Sequence, residues 1–346
     1  LHIDLSDKSY RVEQRPELFA RYLGGSGVAT RLLMETCPQG CDPFDPRNPI
    51  ILAVGPLIGL YPLASKTVAM FKSPHTGDLG ESHAGGRSAV AIRLAGYGAI
   101  VVTGASDLPI YLSIEDGQVR FRDATTLWGL SSVTAGRIIR ENEPGAGLRT
   151  IMRIGRAGEL KMPYANVMIE TYRHFGRLGL GAVFGSKRLK AVVVTGRHSL
   201  PLADRRLYRK TYDDIYQAAT TSTKMQKYHD LGTPSNVLSL DAIGALPTRN
   251  LQATRFEGVR NLSGEALAEG YLGRRLACAH CPVGCIHIAA MREPYENVPY
   301  FFKTTMVPYD YEPIFSLGSM LGISDTVGFL KLLDRIDNYG LDSMST

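Results

Sequence analysis

The sequence has few cysteines, no long apolar run and no block of one charge sign, and each shortage removes a class of protein. Five cysteines is a small, odd number, and three of them fall within residues 278–285. That spacing does not suit a disulfide-stapled secreted domain, so a reducing cytoplasm is expected. The longest apolar run, residues 49–60, is broken by Gly55, Pro56 and Gly59, and it is too short to span a bilayer. No basic-then-apolar leader opens the chain; residues 1–10, LHIDLSDKSY, alternate as a strand and turn. With no Met in first place, a few residues are expected to precede Leu1. Basic residues exceed acidic ones, 39 against 33, for a net charge of +6 and a pI near 9.0. They are scattered, with no basic helix or aromatic-basic platform, so nucleic acid is not an expected partner. Anionic cofactors or an acidic redox carrier suit the charge better.

What is present is an ordinary globular composition, 44% hydrophobic and 21% charged over 346 residues, enough for two or three domains. Up to residue 200 the chain reads as short apolar strands punctuated by glycine: 49–57, 67–74, 98–105, 108–123 and 189–196. Asp116-Gly117 between two alternating runs predicts a hairpin. Helices are predicted at 16–23, 28–36, 88–94 and 133–142. From residue 204 the texture becomes helical, with apolar residues three and four apart in 205–220, 263–273 and 326–340. The expected fold is therefore α+β and multidomain, a β-rich domain over 1–200 followed by a helical domain over 204–346. The helical part is expected to continue past Thr346. There is no internal repeat.

The sharpest chemical signal is Cys278-Ala-His-Cys281-Pro-Val-Gly-Cys285, read as following a helix. A cubane iron–sulfur cluster needs thiolates that converge from a tight loop, and spacings of two and three with turn formers between them provide it. A fourth ligand is missing from the loop; Cys37 or Cys41 are candidates, and a cysteine outside this segment is the better one. A zinc site using His280 or His287 is the competing reading. Two glycine-rich stretches, residues 82–87 and 172–181, have the character of anion-binding loops, the second with Arg173 and Arg177 for bidentate phosphate contacts. Asp337 and Asp342 lie at the end of the last helix, where carboxylates are electrostatically misplaced.

Taken together with Tyr22-Leu-Gly-Gly-Ser-Gly27, Gly55-Pro56-Leu57, Lys72-Ser73-Pro74, Ala84-Gly85-Gly86, Leu94-Ala-Gly-Tyr97, Gly181-Ala-Val-Phe-Gly-Ser-Lys187 and Asp310-Tyr311-Glu312, the chain resembles the aldehyde:ferredoxin oxidoreductase family of tungstopterin enzymes. The match is collinear over essentially all 346 residues. The resemblance implies a tungsten or molybdenum atom held by the dithiolenes of two pterins, with Mg2+ bridging their phosphates, on a base formed by the β-rich domain. It assigns Lys66, His83, Ala84, Gly85, Gly86, Arg173, His174, Gly176 and Arg177 to the pterins, and Asp337, Gly340, Leu341 and Asp342 to one pterin's ring nitrogens. Cys278, Cys281 and Cys285 hold a [4Fe–4S] cluster that passes electrons to ferredoxin or a partner subunit. Glu312 is the implied base, in a water-poor pocket, acting on an aldehyde hydrate or on water at the metal.

Lys66 stands where the family has Arg, and His83 where it has Asn, so the metal pocket is expected to differ from aldehyde-oxidising members. The aromatic-rich stretch between Cys285 and Glu312 suits a bulky or aromatic substrate. Aldehyde oxidation is the first expectation. A tungsten subunit resembling class II benzoyl-CoA reductase is the second, and a non-catalytic iron–sulfur scaffold the third. The oligomeric state, homo- or hetero-, is open. The dimethyl sulfoxide reductase type is disfavoured because its cysteine motif lies near the chain start, and radical SAM enzymes because their spacing is the reverse.

Overall fold

The computed structural model describes residues 1–143, 145–170 and 172–345. The chain forms two compact units, one of Leu1–Tyr208 with Asp337–Ser345 and one of Arg209–Ile336. The α+β class and the helices following a β-rich start are as the sequence implies.

The first unit is built on two six-stranded sheets. One holds β1 (His2–Asp4), β2 (Ser9–Arg11), β3 (Ile50–Val54), β4 (Thr67–Lys72), β5 (Leu79–Ala84) and β6 (Ala99–Thr103), in the order β2-β1-β6-β3-β4-β5. Helices α1 (Pro16–Tyr22) and α2 (Gly25–Thr36) cover one face, where Val28, Ala29 and Leu32 pack on Ile51, Ala53, Val68 and Met70. Helix α3 (Ser88–Leu94) lies on the other face, touching β3.

The second sheet holds β7 (Ile110–Glu115), β8 (Gln118–Asp123), β9 (Leu148–Arg153), β10 (Val167–Ile169), β11 (Arg173–Phe175) and β12 (Leu189–Gly196), in the order β11-β10-β9-β12-β7-β8. Helix α4 (Ser132–Asn142) lies against β9, with Ile139 packed beside Ile151, Ala191 and Val193. The short α5 (Arg156–Glu159) packs on α6 (Leu180–Ser186), and both α3 and α6 also touch β12. α3 and α6 thus fill the space between the sheets. Every residue of β3 and β12 is buried, which is why β3 reads as an unbroken apolar run and β12 as a valine-rich one, its Lys190 paired with Glu159, rather than alternating. The β7–β8 turn is the Asp116-Gly117 pair, with φ of 52° and 74°, as a primed hairpin turn requires.

The second unit contains helix α7 (Arg205–Thr221) from Arg209 onward, then α8 (Thr223–Asp230), α9 (Asn236–Ala242), α10 (Gly264–Gly270), α11 (Tyr311–Leu317) and α12 (Thr326–Tyr339) up to Ile336. With these helices comes a sheet that the helical periods do not announce: β13 (Leu272–Leu276), β14 (Ile286–Tyr295) and β15 (Val298–Tyr309). Val237, Phe256, Leu267, Met291, Val307, Phe329 and Leu330 share its core. Fully burying such side chains contributes about 1.5–3 kcal/mol each. Among the described residues no single helix is long and apolar enough to cross a membrane.

Candidate functional site

In the first unit, β5 ends one sheet and β11 ends the other, and these two terminal strands touch. A side-chain bond ties the turn before β5 to the loop after β11, Ser73 Oγ donating to Leu178 O at 2.8 Å. Ala84 closes β5, and the buried pair Gly85-Gly86 follows, Gly86 at φ 94°. A β-carbon is disfavoured in that conformation. His83, one residue earlier, is 46% exposed and its Nε2 lies 2.7 Å from Glu81 Oε1. Glu81 also accepts from Ser26 Oγ at 2.5 Å, and the Ser26 bond first, then His83, hold its carboxyl below the usual range. Lys66 is exposed, immediately before β4. Beyond β11, Gly176 and the exposed Arg177 lead to Gly179 at φ 80°.

Residues 337–342 are stitched onto this platform by long-range bonds. Ser132 Oγ donates to Asp337 O at 2.6 Å. Gly340, at φ 78°, ends α12 in the left-handed conformation. Its carbonyl accepts from Asn166 N at 2.8 Å, and Asn166 Nδ2 donates to Leu341 O at 2.7 Å. The backbones of Gly155 and Gly340 touch: a β-carbon on Gly340 would lie 2.8 Å from Gly155 N. Leu341 packs with Ala157, Ala165 and Ala182. Both carboxylates end up buried. Asp337 Oδ1 is 3.4 Å from His174 Nε2, and Asp342 Oδ2 is 3.7 Å from Arg177 Nε. Asp342 also accepts from Ser345 Oγ at 2.6 Å.

His174 is held neutral. Burial first, then the charges of Arg153 and Arg173, push its pKa down to about 3. Its Nε2 is buried and makes no hydrogen bond among the described residues. Behind it Arg153 is fully buried, donating to Ser132 O at 2.9 Å and Ile151 O at 3.4 Å, and burial draws its own pKa down to about 10. An unfolded chain protonates His174 near pH 6.5 while the folded chain does not, so stability falls as pH drops through that range towards 3 and is flat above it. In His174→Gln, urea midpoints measured from about pH 7 down to 4 are expected to fall less steeply than in the unsubstituted protein. Parallel slopes would show the imidazole already solvated.

In the second unit the cysteine loop does not follow a helix directly. α10 ends at Gly270 and β13 intervenes before Cys278; the short strand pairs with the long β14 and its helical-looking neighbours mask it. His280, at φ 59°, and Gly284, at φ 66°, bend the loop between the thiols. Cys278, Cys281 and Cys285 are each half-buried and none is in a disulfide. The Cys281 thiol is pushed up by burial and by Cys278 and Cys285, while the Val283 and Gly284 amides act in the opposite sense. Those amides are the polar groups that stabilise a thiolate. Among the described residues no three side chains are already gathered as a metal site. His287 turns its nitrogens to carbonyls, Nδ1 to Cys285 O at 3.2 Å and Nε2 to His229 O at 3.1 Å, which removes it from a cysteine–histidine zinc set. Glu312, expected in a water-poor pocket, is exposed within its unit, on the first turn of α11. Thr233 braces that helix start, donating to Asp310 Oδ1 at 3.1 Å and accepting from Tyr311 N at 3.0 Å.

The family profile described as aldehyde ferredoxin oxidoreductase, N-terminal domain, matches residues 1–196, and that for domains 2 and 3 of the same enzymes matches residues 210–346. The chain belongs to the aldehyde ferredoxin oxidoreductase family. The tungsten-containing aldehyde ferredoxin oxidoreductase of Thermococcus kodakarensis is 35% identical over 353 residues, covering all of this chain and 56% of the relative. The aliphatic sulfonate oxidoreductase, WOR-like subunit, of Pyrococcus furiosus is 28% identical over 367 residues, again all of this chain and 57% of the relative. The chain therefore spans about half the length of the curated relatives it matches. Among solved structures, the active-site complex BamBC of benzoyl coenzyme A reductase with 1,5-dienoyl-CoA superposes with a TM-score of 0.81 at 27% identity, covering 99% of this chain and 53% of that one.

For a member of the aldehyde ferredoxin oxidoreductase family, the donor sets fit the groups that the family implies. A neutral histidine, two buried carboxylates and a glycine cradle suit the polar edge of a pterin; three soft thiols suit iron. Sequence reasoning missed Ser132, Arg153, Gly155 and Asn166, which support the site from behind. No local motif marks them, because their partners lie far along the chain, 205 residues away for Ser132.

Proposed function

We propose that this chain carries the pterin-binding base and the cluster loop of an oxidoreductase that oxidises an aldehyde to a carboxylic acid. Lys66, residues 83–86, Arg173, His174, Gly176 and Arg177 hold the phosphates and rings of the two pterins. Asp337 and Asp342 accept from ring N–H groups, and Gly340 and Leu341 bring backbone close to the ring. Cys278, Cys281 and Cys285 are three ligands of a [4Fe–4S] cluster. When bound, the tungsten or molybdenum bis-pterin supplies two-electron acceptance, and the cluster supplies single-electron export to ferredoxin or a partner subunit, in the cytoplasm. Glu312, on the first turn of α11, takes the proton of the aldehyde hydrate. Mg2+ would supply counter-charge to the pterin phosphates beside Arg173 and Arg177.

The observation that carries this reading is the pair of buried carboxylates brought back to the first unit, beside a histidine that burial keeps uncharged. A pterin edge offers N–H donors that such carboxylates accept well. The likeness to tungsten-containing relatives supports the metal. A second reading, ring reduction of an aromatic thioester within a larger complex, is favoured by the BamBC likeness and by the exposed aromatics Tyr295, Tyr300, Phe301 and Phe302 on the β14–β15 hairpin.

The test is the full-length protein purified anaerobically, with metal analysis and turnover of small aldehydes and aromatic CoA thioesters. Tungsten or molybdenum with aldehyde turnover supports the first reading. The metal with thioester turnover alone replaces it with the second. Iron without either metal leaves an electron-transfer scaffold and ends both.

A further inference from the structure

The cysteine pair Cys37 and Cys41, in the first unit, takes no part in the site described above. α2 ends at Thr36, and Cys37 caps it, its N–H donating to Leu33 O at 2.8 Å. Pro38-Gln39-Gly40-Cys41 then makes a closed turn, Cys41 N–H donating to Pro38 O at 3.1 Å with Gly40 at φ 72°. A β-turn of this kind needs a positive φ at its third residue, which glycine supplies. The turn folds Cys41 back beside Cys37. Cys37 is half-buried and Cys41 only 4% exposed. The Cys41 thiol is a side-chain neighbour of the Cys37 thiol, which places the two sulfurs where thiol–disulfide exchange can join them.

We propose that Cys37 and Cys41 form a redox-active dithiol that closes to an intrachain disulfide by exchange with a low-molecular-weight disulfide. Cys37, the more exposed, attacks one sulfur of the oxidant as its thiolate. The oxidant's S–S bond breaks, a mixed disulfide forms and one small thiol leaves. Cys41 then displaces the second small thiol and the intrachain bond forms. Two protein thiols lose two electrons and two protons; the small disulfide gains them as two thiols. Burial first, then Cys41 beside it, raises the Cys37 thiol above its ordinary range, with Lys72 acting the other way. Exchange therefore quickens with pH, as the thiolate fraction grows about tenfold per unit below the pKa.

The closed form has a route to the pterin platform. The segment after Cys41 ends in Asn48, fully buried, whose Nδ2 donates to Pro43 O at 2.7 Å and Lys72 O at 3.0 Å, and whose Oδ1 accepts from Lys72 N at 2.9 Å. Lys72 precedes Ser73, the residue that holds Leu178. Pinning Cys41 to the end of α2 fixes the root of that chain of contacts.

The experiment exposes the full-length native protein to oxidised glutathione under anaerobic conditions, then unfolds it in acid, alkylates it with iodoacetamide in denaturant and maps the peptide containing residues 37–41. The expected result is a peptide short of two hydrogens, unalkylated and free of glutathione, forming faster at about pH 8.5 than at 7. Cys41→Ser stops at a glutathione adduct on Cys37, and in Cys37→Ser the buried Cys41 stays a free thiol. Full alkylation of both thiols in the unsubstituted protein, or a stable glutathione adduct on Cys37 there, overturns the proposal. Neither result depends on bound pterin or cluster, so failure here leaves the proposed function standing.

Discussion

Cys281→Ala, made in the full-length protein and purified anaerobically, is expected to take iron from about four atoms per chain to near zero. Cys281 is the middle thiol of the triplet. Its neighbours three and four positions away press on it electrostatically, and the amides of Val283 and Gly284 are the groups that answer. Three uncompensated thiolates would repel one another in that loop, so a cation-rich core is what stabilises them together. Removing the central ligand leaves two thiols with His280 between Cys278 and the substituted position, and two thiols do not hold a cubane. Iron by plasma spectrometry and the electron paramagnetic resonance of the reduced protein read the outcome directly. A normal cubane signal in the variant would remove Cys281 from the ligand set.

The second large effect is expected from Gly155→Ala. An added methyl there collides with the Tyr339 carbonyl and with the backbone of Gly340, and none of these backbone atoms can rotate aside. Overpacking of this kind typically costs about 1–3 kcal/mol, and here the strain is relieved most simply by releasing residues 337–342 from the platform. Because Asp337 and Asp342 themselves are unchanged, loss of pterin and of its metal in this variant would trace to their placement. The expected result is a several-fold drop in bound metal, with iron at the cysteine loop retained. Full metal occupancy would show that the carboxylates do not need this glycine contact.

Much of the first unit could be read from residues alone, and the reasons are local. Ser88–Leu94 is a helix buried through Ile92, and its small and apolar residues say so without help. The β7–β8 hairpin is written in Asp116-Gly117. β12 is legible because both its faces are covered. The second unit was harder. β14 and β15 carry Lys303, Thr304 and Thr305 among aromatics on a hairpin exposed at its tip, so neither strict alternation nor an apolar run marks them. β13 is a short strand with three exposed residues in its middle, and its existence depends on pairing with β14. At the site, the glycine loops and carboxylates stand out by chemistry. Arg153 and Ser132 do not, because an arginine in a strand and a serine at a helix start look ordinary until the chain returns to meet them.

That return sets a schedule for biosynthesis. The stretch that brings Asp337 and Asp342 home is separated from the rest of its unit by roughly 130 residues, and closing a loop of that length is slow even when its entropic cost is modest. A ribosome releases residues 1–208 well before residue 345 exists, so the two sheets can assemble first with one side of the platform still missing. On the proposed function, the pterin site is complete only once residues 337–342 have been translated.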